Sequence, residues 1–182
     1  MNLQKYRHQQ VAKLTPQVGV YALCDLDETP IYVGQSIDGI RARVQRHLTS
    51  ARSDVIANRQ LDIWEVAFVW AWPLQVVNID EINQLEGYLI HQFHDSHPVL
   101  NGSLPKRPTS LVNVPERQVV QILPDEEVVR RRDPTLRLPR QAAQFANLLS
   151  YILEVKENPE LKRTLRAHFE RLERYYEEYM NK

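Results

Sequence analysis

The segment from Asp80 to Phe93 constrains the fold more than any other, because its helical pattern sets a carboxylate where hydrocarbon is expected. At about 100° per residue, Ile82, Leu85, Leu89, Ile90 and Phe93 cover an arc of roughly 140°, and Glu86 projects near its middle. Asp80 can cap such a helix. A carboxylate turned into a core loses its hydration at a cost of several kcal/mol unless something compensates. Three compensations are available: a raised pKa that leaves the group neutral, a buried arginine, or a divalent cation. Whatever fold the chain adopts must supply one of them.

A second amphipathic stretch offers partners for it. Ser36 can cap a helix running to about Ala51, with Ile37, Ile40, Val44, Leu48 and Ala51 as its apolar stripe. With Ile40 at zero the stripe lies at roughly 0° to 80°, and Arg43 and His47 fall beside it at about −60° and −20°. Four residues apart, these two side chains can converge on one target. Arg41 lies on the opposite edge and Arg46 points away. Ahead of this helix, Val18 to Cys24 alternates and is rich in strand formers, Asp25 to Pro30 reads as a turn, and Ile31 to Val33 reads as a second strand. Their pairing as a hairpin would present Tyr21 and Tyr32. An arginine, a histidine, a carboxylate and two phenols can thus reach one boundary between core and solvent, the composition of a phosphodiester site. Taken one at a time they have plainer readings: a Glu–Arg pair, a histidine bonded at the core rim, and tyrosines of an amphipathic strand.

The remainder divides the chain in two. Residues 2–13 form a short helix with Leu3, Tyr6, Val11 and Leu14 on one side, stopped by Thr15-Pro16. Leu61 to Trp72 reads as a long central strand, apolar on both faces, with Trp64, Trp70 and Trp72 as core residues. Polar, proline-rich sequence from His94 to Pro115 marks the edge of a first domain, residues 1–110. Residues 111–182 are expected to hold an edge strand at Val119 to Leu123, a linker or broken helix from Pro124 to Pro139, and helices at about 140–157 and 159–180. In the last helix Leu161, Leu165, His168, Leu172, Tyr175 and Tyr179 step by four and three as a heptad seam. That seam fits either a homodimer or a helix folded back on the first domain. His91, His94 and His97 fan around their helix and are read as solvated rather than as a zinc site.

Composition narrows the class. With 43% hydrophobic and 25% charged residues the chain reads as an ordinary globular protein rather than a disordered one. Its net charge is zero, which weighs mildly against a nucleic-acid binder. Between Ser36 and Arg59, however, Arg41, Arg43, Arg46, Arg52 and Arg59 face only Asp38 and Asp54, so a local basic face can still steer a polyanion. The single cysteine, Cys24, excludes an internal disulfide. Neither a secretory leader nor a membrane-length apolar run is read, so a cytoplasmic protein without membrane partners is expected.

Gly19-Val20-Tyr21 and, ten residues on, Tyr32-Val33-Gly34 resemble the paired strand motifs of the GIY-YIG nucleases. Gln35-Ser36 opening a helix, Arg43 with His47 four residues later, Glu86 in Leu-Glu-Gly-Tyr-Leu-Ile and Asn101 in Val-Leu-Asn-Gly are similar to that family's later motifs, over residues 15–105. Valine stands for isoleucine in both tripeptides, and the gap from Glu86 to Asn101 is slightly long. Asn101-Gly102 also reads as a tight turn.

The resemblance implies an α+β fold: a small three-stranded antiparallel sheet flanked by helices, here with a C-terminal helical extension. It implies an endonuclease that hydrolyses DNA phosphodiesters with one Mg²⁺ or Mn²⁺ held by Glu86. Tyr21, Tyr32, Arg43, His47, Glu86 and Asn101 would be the catalytic set, and Gln35, Ser36, Arg41 and Arg46 would face DNA. The contrasting expectation is an inactive DNA-binding or interaction protein on the same fold.

Overall fold

The computed structural model describes residues 2–49, 59–75 and 78–181. Its described secondary structure runs α1 (Leu3–Val11), β1 (Gly19–Cys24), β2 (Pro30–Ser36), α2 (Ile40–Thr49), β3 (Phe68–Pro73), α3 (Ile79–His94), β4 (Gln118–Gln121), α4 (Asp125–Arg132), α5 (Pro134–Glu154) and α6 (Pro159–Met180). The class is α+β. The sheet has four antiparallel strands in the order β2-β1-β3-β4, one more than the three expected. The fourth, β4, was foreseen as an edge strand, and it adds to the free side of β3 with Val69 opposite Val120. No described helix is long and apolar enough to cross a membrane.

Helices cover both faces of the sheet. Tyr21, Leu23, Val69, Ala71 and Val120 pack beneath Val11 and Leu14 from α1 and its end, Ile40, Val44 and Leu48 of α2, and Ala167 of α6. Val20, Ala22, Cys24, Val33 and Trp72 pack on the other side against Ile82, Leu85, Leu89 and Ile90 of α3. This double cover buries every residue of β1, which is the fully enclosed strand. The sequence assigned that role to Leu61–Trp72, and the structure corrects it. Strand β3 starts only at Phe68, and Trp64 stands before it. Asp62 accepts the Trp64 amide at 3.1 Å, and the Glu65 amide bonds Asp62 O at 3.1 Å, so a side-chain-closed turn replaces the start of the ladder.

Helix starts also shift. Asn78, not Asp80, caps α3 by accepting from the amides of Asp80 and Glu81. Ser36 ends β2 and donates its hydroxyl to Gly39 O at 2.9 Å, so α2 begins at Ile40 and Ile37 is left exposed. Ala51 and Arg52 lie outside the described residues. The stretch read as a linker or broken helix is α4 and the first turn of α5, which Asp133 caps ahead of Pro134. Pro139 stands inside α5, one turn in.

The C-terminal helices are tied to the sheet through a buried ionic cluster. Asp25 closes the β1–β2 turn, with one carboxylate oxygen accepting from the amides of Asp27 and Thr29 at 2.9 and 3.0 Å. Its other oxygen accepts from Arg171 at 2.9 Å and from the Tyr175 hydroxyl at 2.8 Å. Arg137 of α5 donates to the same hydroxyl at 2.7 Å and to Glu65 at 3.2 Å. Burial alone would raise the Asp25 carboxyl, but Arg171, Arg137 and the Tyr175 hydroxyl hold it below the usual carboxylate range. The buried face of α6 is Leu161, Thr164, Ala167, His168, Arg171 and Tyr175, which includes polar positions beside the Leu165 and Leu172 of the expected seam. Both the fourth strand and this cluster cross residue 110, where the sequence suggested a domain edge.

Arg171 is fully buried between Asp25 and Glu65. Arg171→Ala should therefore cost about 3–5 kcal/mol in urea denaturation, because it strands buried carboxylates. A loss below about 1 kcal/mol would show the cluster to be incidental.

Candidate active site

The hairpin register places the two tyrosines. Tyr21 pairs with Gly34, and Leu23 pairs with Tyr32, so the phenols are diagonal neighbours on one face. Gly34 makes room for this arrangement. A β-carbon there would lie 2.4 Å from the Tyr21 Oη and 2.6 Å from its Cζ, so the Tyr21 ring lies directly over the glycine. The hairpin also places Tyr32 within reach of the same histidine as Tyr21.

Helix α2 crosses above that face and delivers Arg43 and His47 from successive turns. The Tyr21 hydroxyl lies 2.6 Å from His47 Nε2. The His47 ring is 5.8 Å from both phenol rings, tilted to one and edge-on to the other. Arg43 also hydrogen-bonds the Tyr21 hydroxyl. Burial is the main influence on the Tyr21 phenol and pushes it well above 10, with Tyr32 and Glu86 adding to the rise and Arg43 opposing it. A phenol so disposed is protonated at neutral pH. Its O–H is available to His47 Nε2 when the imidazole proton sits on Nδ1, and its oxygen can accept from Nε2–H in the other tautomer.

Glu86 enters from the opposite layer. Its helix packs on the other side of the sheet, against β2 and β1, and Gln35 of β2 donates to Asn83 of α3 at 3.0 Å. Strand β2, which this helix covers, is an edge of the sheet. Glu86 and Arg43 sense one another, as do Glu86 and Tyr21. Among the described residues Glu86 forms no ion pair at contact distance, and Arg43 acts on it only as a nearby charge. Burial pushes its carboxyl up to about 7, with Arg43 only partly opposing the rise.

A divalent ion would find one protein carboxylate here. Among the described residues no three of His, Cys, Asp or Glu converge on a point that could hold a metal. A hard cation bound by one carboxylate takes its remaining ligands from water and phosphate oxygens, which fits a lone partly buried glutamate left without a cationic contact. The histidines read as solvated, His91, His94 and His97, are half-buried instead, and His91 Nε2 sits 2.6 Å from Pro105 O.

Asn101 takes a different place from the other five. Its side-chain oxygen accepts the Val33 amide at 3.0 Å, and its amide donates to Val33 O at 2.7 Å. Both ends of the group hold the outer edge of β2, so Asn101 positions the strand that carries Tyr32. Of the residues expected to face DNA, Gln35 bonds Asn83, Ser36 bonds Gly39, and Arg41 donates to Leu14 O at 2.7 Å. Arg46 is exposed. The sequence reading overlooked the α1 residues Lys5, Arg7 and His8, which line a cleft reaching His47. Their signal was present as a basic cluster beside Asn2, the α1 cap.

Two substitutions separate chemistry from support. Gly34→Ala should displace the Tyr21 ring and lower any activity of the site about as far as Tyr21→Phe does, on the order of 10²–10³. Asn101→Ala should instead lower stability by about 1–3 kcal/mol in thermal or urea unfolding, because it leaves the buried Val33 amide and carbonyl unpaired. A stable Asn101→Ala protein would contradict the clamp.

Compared with known proteins, the chain matches no family model, no curated protein and no solved structure.

Proposed function

We infer that this protein is a divalent-metal-dependent DNA endonuclease of the GIY-YIG type. One observation carries the reading: a Tyr–His–Arg cluster on one layer is within electrostatic reach of a carboxyl that burial pushes up to about 7 and that has no ion pair among the described residues. The motif resemblance over residues 15–105 supports it, since Tyr21, Tyr32, Arg43 and His47 are neighbours and Glu86 feels the charge of Arg43.

Glu86 would hold the Mg²⁺ or Mn²⁺ ion, and the bound ion supplies Lewis-acid polarisation of the phosphate and charge for the departing 3′ oxygen. The protein's own groups account for the rest. Arg43 binds non-bridging oxygens and offsets the negative charge that grows as water attacks phosphorus. Tyr21 takes the proton of that water while passing its own to His47 Nε2, so no phenolate has to persist in a buried setting. Tyr32 donates a hydrogen bond to the phosphate. Asn101 keeps β2 in place.

Plasmid nicking in Mg²⁺ or Mn²⁺ tests the reading. The wild type should cleave, and Glu86→Gln, Arg43→Ala and Tyr21→Phe should each be folded and slower by about 10²–10³. A wild type inert with both metals, yet able to bind DNA, would establish the inactive binding protein instead.

The Glu86 carboxyl adds a pH test. Its folded value of about 7 exceeds the ordinary 4.5, so the folded state holds the proton more tightly. Stability from this group is full below about 4.5 and is lost as pH rises through about 7. Without metal, Glu86→Gln should therefore gain on the wild type across that window in urea titrations. Mn²⁺ should then raise the melting temperature of the wild type above pH 7 and leave Glu86→Gln unmoved. Equal metal response in both would remove the ion from Glu86.

A further inference from the structure

A cleft of about 790 Å³ lies between α1 and α2, and His47 forms part of its wall. It borders the cluster described above without belonging to the motifs, since α1 precedes them in the chain. Its size falls within the ~300–1,000 Å³ range of pockets that enclose a nucleotide-sized molecule. Lys5, Arg7 and His8 line it from α1, and no acidic residue is among the described residues that line it.

Two features of its chemistry point to an anion with an attached flat, apolar-faced group. First, its charge is uncompensated. Arg7 forms no ion pair among the described residues, makes one long bond to Ile63 O at 3.4 Å, and has a buried Nε without a partner. Burial, followed by repulsion from the Arg131 guanidinium, lowers Arg7 to about 10. A polyanion brought alongside relieves this repulsion. Second, the inner wall is apolar, formed by Val11, Leu48 and Ile63. Phosphates alone cannot cover such a wall. A base can, but only when it is outside a duplex stack, because stacked and paired bases present no face.

Resting on the nuclease reading, we propose that the α1–α2 cleft seats an unpaired nucleotide next to the phosphodiester presented to His47, so that the preferred substrate is DNA with a single-stranded segment at the cleavage point. Lys5 and His8 meet the strand's phosphates at the mouth, Arg7 fixes the field within, and the base lies on the apolar wall. Helix α1 is then a substrate-selecting element.

Binding tests this independently of cleavage. In the full chain carrying Glu86→Gln and without metal, fluorescence anisotropy of a labelled oligothymidine strand should show tighter binding than a blunt duplex of matched length. Lys5→Glu with His8→Glu, both exposed positions on α1, should weaken the single strand about ten-fold or more and erase its advantage over duplex. Lys5→Gln should make the log–log salt dependence shallower by about 0.7, as expected for one phosphate contact on a single strand. Lys156→Glu, a charge reversal in the exposed α5–α6 link, should do neither. Unchanged single-strand affinity in the folded double variant, or equal weakening of strand and duplex, overturns the proposal whatever the plasmid assay shows. Cleft-dependent strand binding by a protein that never cleaves would instead overturn the nuclease reading and leave the nucleotide site standing.

Discussion

Asp25 is the point on which the molecule turns. It has no exposed surface, and its two oxygens do different work. One shapes the β1–β2 turn through the amides of Asp27 and Thr29, and the other receives Arg171 and Tyr175 from the last helix. A buried carboxylate tolerates that position only with its lone pairs filled and a cation beside it. The hairpin that carries both tyrosines is consequently closed by a group that is satisfied only when the C-terminus has folded back. Arg137 and Glu65 extend the requirement to α5 and to the turn ahead of β3.

The candidate site inherits its geometry from that arrangement. Double cover of the sheet enforces desolvation on both sides of β2, and desolvation is the leading influence on Tyr21 and on Glu86 alike. The two groups respond in the same sense, since each loses more by being charged in an apolar setting. One becomes a phenol that keeps its proton beside His47, and the other becomes a carboxyl easily neutralised by a proton or a cation. A protein that buried these groups less would have two ordinary acids there. The site lies at an edge strand, and Glu86, carried by the far layer, still feels the charge of Arg43.

Much of this was legible in the chain and some was not, and the division follows the range of the forces involved. The hairpin, α2, α3 and the two C-terminal helices show in periodicity because each depends on neighbours three, four or two residues apart. Arg43 and His47 share an edge of α2 for the same local reason, as expected. Boundaries slipped where a side chain competed with the ladder or the cap: Asp62 delayed β3, Asn78 advanced α3, and Gly39 deferred α2. The seam of α6 kept Leu161, His168 and Tyr175, while Arg171, a poor core residue by type, is drawn inward beside Leu172 by two distant carboxylates.

The amino-acid sequence by itself determined the α+β class, the pairing of Tyr21 and Tyr32 on one hairpin, and the anomaly of a glutamate within an apolar arc. These are consequences of spacing, and spacing is carried by the chain. Only the tertiary structure decided that Glu86 has no ion pair among the described residues, that Asn101 serves β2, that the foreseen edge strand pairs with β3, and that α1 walls a cationic cleft beside His47. Each of these depends on which groups meet across tens of residues, where desolvation and charge act through space and leave no local period to read.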